Sequence, residues 1–209
     1  MTEREARIAF NLIPEIGAVT LDKLMSAAGG SAIAAYEAFP ADRRKDWRGR
    51  EPDWRGEMDK AAKSHVTLVT MLDPDYPPLL RKIASPPLVL YVAGDPAALR
   101  RPSVALVGTR RATLYGRDVA ERFAYGLAQA GWSVVSGLAT GIDGCAHAGA
   151  LAAKGSTVGV LGGALDEFFP PENRELGRRI VRSGGAVISE FPFGRKPDTA
   201  TFPQRNRIV

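Results

Sequence analysis

The sequence predicts an α/β protein in which a parallel sheet is preceded by a small helical module. Three observations carry this. From Ser103 onward, short apolar runs at 103–108, 132–136, 156–161 and 186–190 alternate with helical patterns near 115–130, 142–154 and 172–183, the spacing of βαβ units. Residues 3 to 39 instead place Ile8, Leu12, Leu21, Leu24, Met25, Ile33, Tyr36 and Phe39 at helical intervals. Glycines follow the ends of the predicted strands, as expected where strands turn tightly into helices. A parallel sheet of apolar strands is expected to be covered on both faces.

Taken in order, residues 1–65 form the helical module, with Gly17 and the Gly29/Gly30 pair marking turns. The piece IPEIGAVTLDKLMSAAGG resembles a helix-hairpin-helix unit, whose turn can offer N–H groups to phosphate; a plain helical hairpin fits the same residues. Residues 42 to 63 are rich in both charges and hold Trp47 and Trp54, which could stack on bases or anchor a linker helix. Residues 66–100 form a proline-dense connector with strand pieces at 66–72 and 88–92. Residues 101–209 form the sheet domain.

In open α/β sheets ligands sit beyond the carboxyl ends of the strands, and here those ends carry GTRR, SGLATGID, LGGALD and SEFPFGRK. The stretch VVSGLATGIDGCAHAGAL reads as a strand, a turn at Gly137 and Gly141, and a helix start with Thr140 or Asp143 as cap. Its free N–H groups and helix dipole favour an anion. The spacing G-x3-G-x2-G is neither the dinucleotide fingerprint nor a P-loop, and Gly108 is followed by Thr109, Arg110 and Arg111 rather than further glycines. NAD and ATP are therefore excluded as expected ligands, and no cofactor is implied.

Net charge is +5, and its distribution is informative: residues 1–100 hold 14 Lys+Arg against 14 Asp+Glu, whereas 101–209 hold 14 against 9. The excess in the glycine-rich half favours a polyanionic partner. A single cysteine, Cys145, rules out an internal disulfide; it is expected to be a small helix residue or, at a helix start, a reactive thiol. No run approaches the ~20 apolar residues needed to span a bilayer, and the charged start MTEREARIAF has no signal-like apolar region, so a cytoplasmic protein is expected.

VALVGTRRATLYG, VVSGLATGIDGCAHAGALAAKGSTVGVLGGALDEFFPPENREL and GAVISEFPFGRKPDTATFPQRNRIV, preceded by DPDYPPLLRKIASPPLVLYVAGD, resemble in order and spacing the DNA-processing protein A family, also called Smf. The resemblance covers roughly residues 73 to 209. It implies an extended Rossmann-like parallel sheet, a sterile-alpha-motif-like helical domain before it, a homodimer when full length, and no catalytic chemistry. It also implies single-stranded DNA as ligand and RecA recombinase as partner: the family protects incoming DNA in natural transformation and helps load RecA on it. Thr109 stands where the family usually has Ser, which keeps the hydroxyl. The family continues beyond the position of Val209, so the sheet domain is expected to be truncated at its C-terminus.

On this reading the DNA-binding residues are Gly108, Thr109, Arg110, Arg111, Ser136, Gly137, Thr140, Gly141, Gly162, Gly163, Phe191, Phe202, Arg205, Asn206 and Arg207. Turn N–H groups and the four arginines would hold phosphates, and Asn206 would bond phosphate or orient a loop. Phe191, Phe193 and Phe202 are either base platforms or core anchors. Asp143 and His147, one helical turn apart, fit an acid/base pair, half of a metal site, or a capping Asp with a nearby His. An alternative function is a phosphoribohydrolase-like enzyme acting on nucleotides on a related framework, with Glu190 as its carboxylate, although LGGALDEF lacks most of that class's PGGxGTxxE pattern.

Overall fold

The computed structural model describes all residues of 1–209 except Glu15; this residue of the IPEIGAV turn lies outside the description. Three helices, α1 (Glu3–Asn11), α2 (Ala18–Ala27) and α3 (Ala32–Ala38), lead through a charged stretch to α4 (Trp54–Lys63). Thr2 caps α1 in a reciprocal capping box with Glu5. Glu3 ties the starts of α1 and α3 together through the Ser31 hydroxyl (2.6 Å) and the Ala32 N–H (3.0 Å). The Ser31 hydrogen bond, aided by those N–H groups and Arg7, holds the Glu3 carboxyl down to about 2. Phe10 sits edge-on to Tyr36 and Phe39 at the centre of the module.

The remaining chain runs β1 (Val66–Thr70), β2 (Val89–Gly94), β3 (Ser103–Ala105), α5 (Leu114–Gln129), β4 (Ser133–Ser136), α6 (Ile142–Ala152), β5 (Thr157–Val160), α7 (Arg174–Arg182), β6 (Ala186–Ser189) and α8 (Thr201–Asn206). The six strands make one sheet in the order β1-β2-β6-β5-β4-β3. Strands β3 to β6 are parallel, as expected, but β2 pairs antiparallel with both β6 and β1. The 66–100 segment thus supplies two strands of the same sheet.

Alternation along the strands separates two faces. Val89, Tyr91, Val134 and Val187 point to the side carrying α1–α7, while Leu90, Val92, Val158, Val160 and Ile188 pack with Tyr76, Leu80, Ala98 and Ile208 on the other. Both faces are covered, as expected, but the connecting helices all lie on one of them for a topological reason. β3, β4, β5 and β6 are laid down side by side without a reversal, so right-handed crossovers put every connecting helix on one face. The second face is closed by two short 3-10 helices, Leu80–Lys82 and Pro96–Arg100, and by irregular chain, and near the β3 edge Val107 is 64% exposed. On the helical face α5 and α6 approach closely through Ala124, Ala128, Ala146 and Ala150; a Cβ on Gly149 would lie 2.2 Å from the Glu121 carbonyl oxygen.

The helical module docks through Glu57, which accepts from the Tyr91 hydroxyl (2.9 Å) and the Phe193 N–H (2.8 Å). Burial raises the Glu57 carboxyl above its ordinary range. Trp54 is one of the apolar anchors here, whereas Trp47 is partly exposed under the Arg48 guanidinium, 4.2 Å from its ring.

Candidate nucleic-acid interface

The carboxyl ends of β3 to β6 converge on one edge. In the GIDG turn, the α6 N-cap is Gly141, in place of the expected Thr140 or Asp143. Its φ of +84° and the 2.3 Å that would separate a Cβ from the Thr109 carbonyl oxygen both demand glycine. Asp143, in the first turn of α6, is buried, and its carboxylate accepts N–H groups from Gly137 (3.1 Å) and Gly108 (3.4 Å). The anion expected in this cradle is therefore the protein's own. Gly108 and Gly137 are corrected accordingly: their N–H groups stitch β3 and β4 to α6. Ser136 is also internal, its hydroxyl donating to the Leu106 carbonyl (2.6 Å).

His147 does not face Asp143 chemistry. It is fully buried, its Nδ1 lies 2.7 Å from the Thr157 hydroxyl, and that hydroxyl donates to the Val134 carbonyl (2.6 Å). Nδ1 is then the donor and Nε2 is left without a hydrogen-bond partner. Burial pushes the imidazole down to about 3. Burial likewise raises the Cys145 thiol, against the reactive-thiol expectation.

Two of the four expected phosphate-holding arginines are internal as well. Arg205 is buried, and its Nη1 donates to the carbonyls of Gly137 (2.6 Å) and Val160, bridging the ends of β4 and β5. Its guanidinium occupies the space a side chain at Gly137 would need. Burial lowers the Arg205 pKa. Arg207 forms a two-point ion pair with Glu190, at 2.6 Å on each side, and donates to the Ser85 carbonyl (2.8 Å). Asn206 is exposed and accepts from Arg205 Nε (3.3 Å). The six-residue helix α8 that holds these groups is not evident from the sequence pattern.

Phe191 and Phe193 are core residues, Phe193 edge-on to Tyr91 at 5.4 Å. Gly162 and Gly163 are buried under the Phe202 ring and Pro197, leaving no room for a Cβ at either. Thr109 accepts from the Arg111 N–H (3.2 Å), shaping the GTRR turn, and Arg111 is exposed.

What remains is a cavity of about 330 Å³ bordered by Arg110, Gly137, Thr140, Phe202 and Arg205 from the expected set. Phe169, Pro170, Pro171 and Glu172 close it from the loop after β5. Arg110 is exposed, forms no ion pair among the described residues, and sits 5.1 Å over the Phe202 ring. Phe169 lies 6.1 Å from Phe202, tilted by 56°, and is 47% exposed. Asn173 donates to the carbonyls of Leu138 and Ala139, both at 2.9 Å, and so locks this loop to the α6 turn. Phe169 is missing from the sequence-based site; the FFPPEN string was its only signal. The site thus combines a free guanidinium, a buried one beneath, and an accessible aromatic pair.

A mostly parallel α/β sheet with a basic, aromatic cleft at its strand ends defines a Rossmann-like binding fold. Residues 67–209 match the family model for DNA recombination-mediator protein A; the chain belongs to this family. It is 40% identical over 156 residues to Protein Smf of Synechocystis, covering 73% of this chain and 39% of that protein. It is 37% identical over 145 residues to DNA processing protein DprA of Bacillus subtilis, covering 69% and 48%. The chain therefore spans less than half the length of these relatives. Among solved structures, DprA of Streptococcus pneumoniae superposes with a TM-score of 0.78 at 27% identity, covering all of this chain and 74% of that one. DNA processing protein A of Helicobacter pylori, described for its single-stranded DNA binding mode, gives 0.61 at 33% identity, covering 70% and 66%. No helix among the described residues is long and apolar enough to cross a membrane.

Proposed function

We propose that this chain binds single-stranded DNA at the strand-end cavity and acts by holding the strand, without catalytic chemistry of its own. The observation that carries the reading is Arg110 over Phe202 with Phe169 open beside it. A backbone phosphate meets the free guanidinium while a base stacks on an aromatic face, an interaction worth about 1–3 kcal/mol per base and indifferent to sequence. Arg205 adds positive potential from below. The role in natural transformation, protection of incoming DNA and help in loading RecA recombinase, and a homodimer of the full-length protein complete the proposal, supported by family membership and by the Helicobacter pylori relative. The phosphoribohydrolase alternative has no such support, because Glu190 is engaged by Arg207.

The test is anisotropy of a labelled oligothymidylate against a hairpin duplex across a salt series. Preference for the single strand, with log affinity falling against log salt by about 0.7 per phosphate contacted, is expected. Absent or salt-independent binding overturns the reading. Phe169→Ala and Phe202→Ala should each weaken binding about tenfold.

A further inference from the structure

Along α7, Arg174, Arg178 and Arg182 recur every fourth residue, so they form one stripe with a rise of about 6 Å between neighbours. All three border a groove of about 510 Å³ whose walls include Leu165, Phe168 and Val187. Among the described residues none of the three is ion-paired to another element. Arg178 and Arg182 form ion pairs with Glu175 of their own helix, each with its side chain 65% exposed, Arg182 Nε also donates to the Arg178 carbonyl (3.4 Å), and Arg174 has no ion pair among the described residues. Such exposed pairs are weak and exchange readily for a phosphate. Asp166, a carboxylate that lines the groove, is already engaged by Lys60 (2.7 Å) and the Gly194 N–H (2.9 Å).

The groove and the proposed DNA cavity are bordered by the same loop. Phe168 borders the groove and the next residue, Phe169, borders the cavity, so one loop forms both rims. Asn173, at the head of α7, fixes that loop to the far wall of the cavity. The 6 Å repeat of the stripe is close to the phosphate repeat of an extended strand, roughly 7 Å or twice the about 3.4 Å rise of stacked DNA.

We infer that α7 and its groove form a second stretch of single-strand binding surface. Phosphates meet Arg174, Arg178 and Arg182 as the strand leaves the cavity, and a base enters the groove against Phe168. This rests on the single-stranded DNA reading of the cavity.

The experiment compares oligothymidylates of about 6 and about 20 nucleotides on the 209-residue chain, its Arg174→Ala/Arg178→Ala/Arg182→Ala variant, the corresponding triple Lys variant, and Arg110→Ala. The long probe should bind wild type at least about tenfold more tightly than the short one, and the triple Ala variant should lose that gain. Its salt slope for the long probe should drop by about 2, three phosphates at about 0.7 each, while short-probe affinity and melting temperature stay at wild-type values. The triple Lys variant should keep most of the slope. An unchanged long-probe affinity and slope in the triple Ala variant, with both probes weakened by Arg110→Ala, overturns this inference alone. An equal loss for both probes in the triple Ala variant also overturns it, and failure of wild type to bind either probe removes it together with the cavity reading.

Discussion

The arginines of GTRR and those of FPQRNR have the same chemistry and lie at the same sheet edge, yet they do different work. Arg110 is exposed over an aromatic ring with no carboxylate partner among the described residues, whereas Arg205 and Arg207 are built into the fold. The difference comes from what each segment must satisfy. Where β4 and β5 stop, carbonyl groups lose their ladder partners inside the protein, and a buried polar group without a partner is costly; Arg205 answers two of them. GTRR lies beyond the sheet in solvent, where its cations have no ion-pair partner among the described residues. A basic motif therefore counts arginines, but only the fold decides which are free.

Arg205→Ala is the strongest way to break this contrast. It leaves the Gly137 and Val160 carbonyls without their donor, and at about 1–3 kcal/mol per orphaned buried group stability should fall by about 3 kcal/mol in urea titration. Loss of DNA binding with unchanged stability would place Arg205 on the Arg110 side. Arg207→Ala should cost somewhat less, about 2 kcal/mol: it strands the nearly buried Glu190 carboxylate, but Arg207 itself is partly solvated. Glu190→Gln/Arg207→Met should recover much of that loss, whereas a purely DNA-binding arginine would show no such recovery.

His147 extends the contrast into the GIDGCAH stretch and adds a pH signature. Its folded pKa, pushed down to about 3 by burial, lies below the ordinary value near 6.5, so the unfolded chain binds more protons between those limits. The stabilisation is complete above about pH 6.5 and is lost as pH falls toward 3. Between pH 7 and 5 the loss should be about 2 kcal/mol, read from urea midpoints. The raised Glu57 carboxyl works in the opposite direction in acid, since the folded state then takes up protons first. The comparison is therefore with His147→Asn, in which the fall between pH 7 and 5 should flatten. An identical pH profile in that variant would refute the assignment.

The elements were legible wherever periodicity is set by burial. The βαβ alternation after Ser103 and the helical spacing of residues 3 to 39 correspond to observed strands and helices, because apolar residues must repeat at the period of the element that buries them. Strand direction was not legible: Val89–Gly94 reads as a strand in either sense, and only its pairing with Ala186–Ser189 makes it antiparallel. Nor was α8, whose six residues are too few to show a period. At the site, glycine positions announced tight turns, but Asp143 took the N–H groups that a ligand would have used. The α7 arginines lie outside every motif the sequence offers, and the loop that carries Phe168 and Phe169 links them to the cavity.

The smallest effects should come from the two arginines that remain free, and they sharpen the comparison most finely. Arg110 and Arg111 are adjacent and both exposed, so composition cannot rank them. Arg110 stands over Phe202 and borders the cavity, whereas Arg111 borders no part of it. Arg110→Ala removes both a phosphate partner and one partner of the stacked ring, and single-strand affinity should fall about tenfold, with stability changed by less than about 0.5 kcal/mol. Arg111→Ala should remove only a more distant charge, a loss of about twofold that vanishes at high salt. Equal losses for the two variants at every salt concentration would mean that charge density on the GTRR loop, rather than the guanidinium–aromatic arrangement, governs binding.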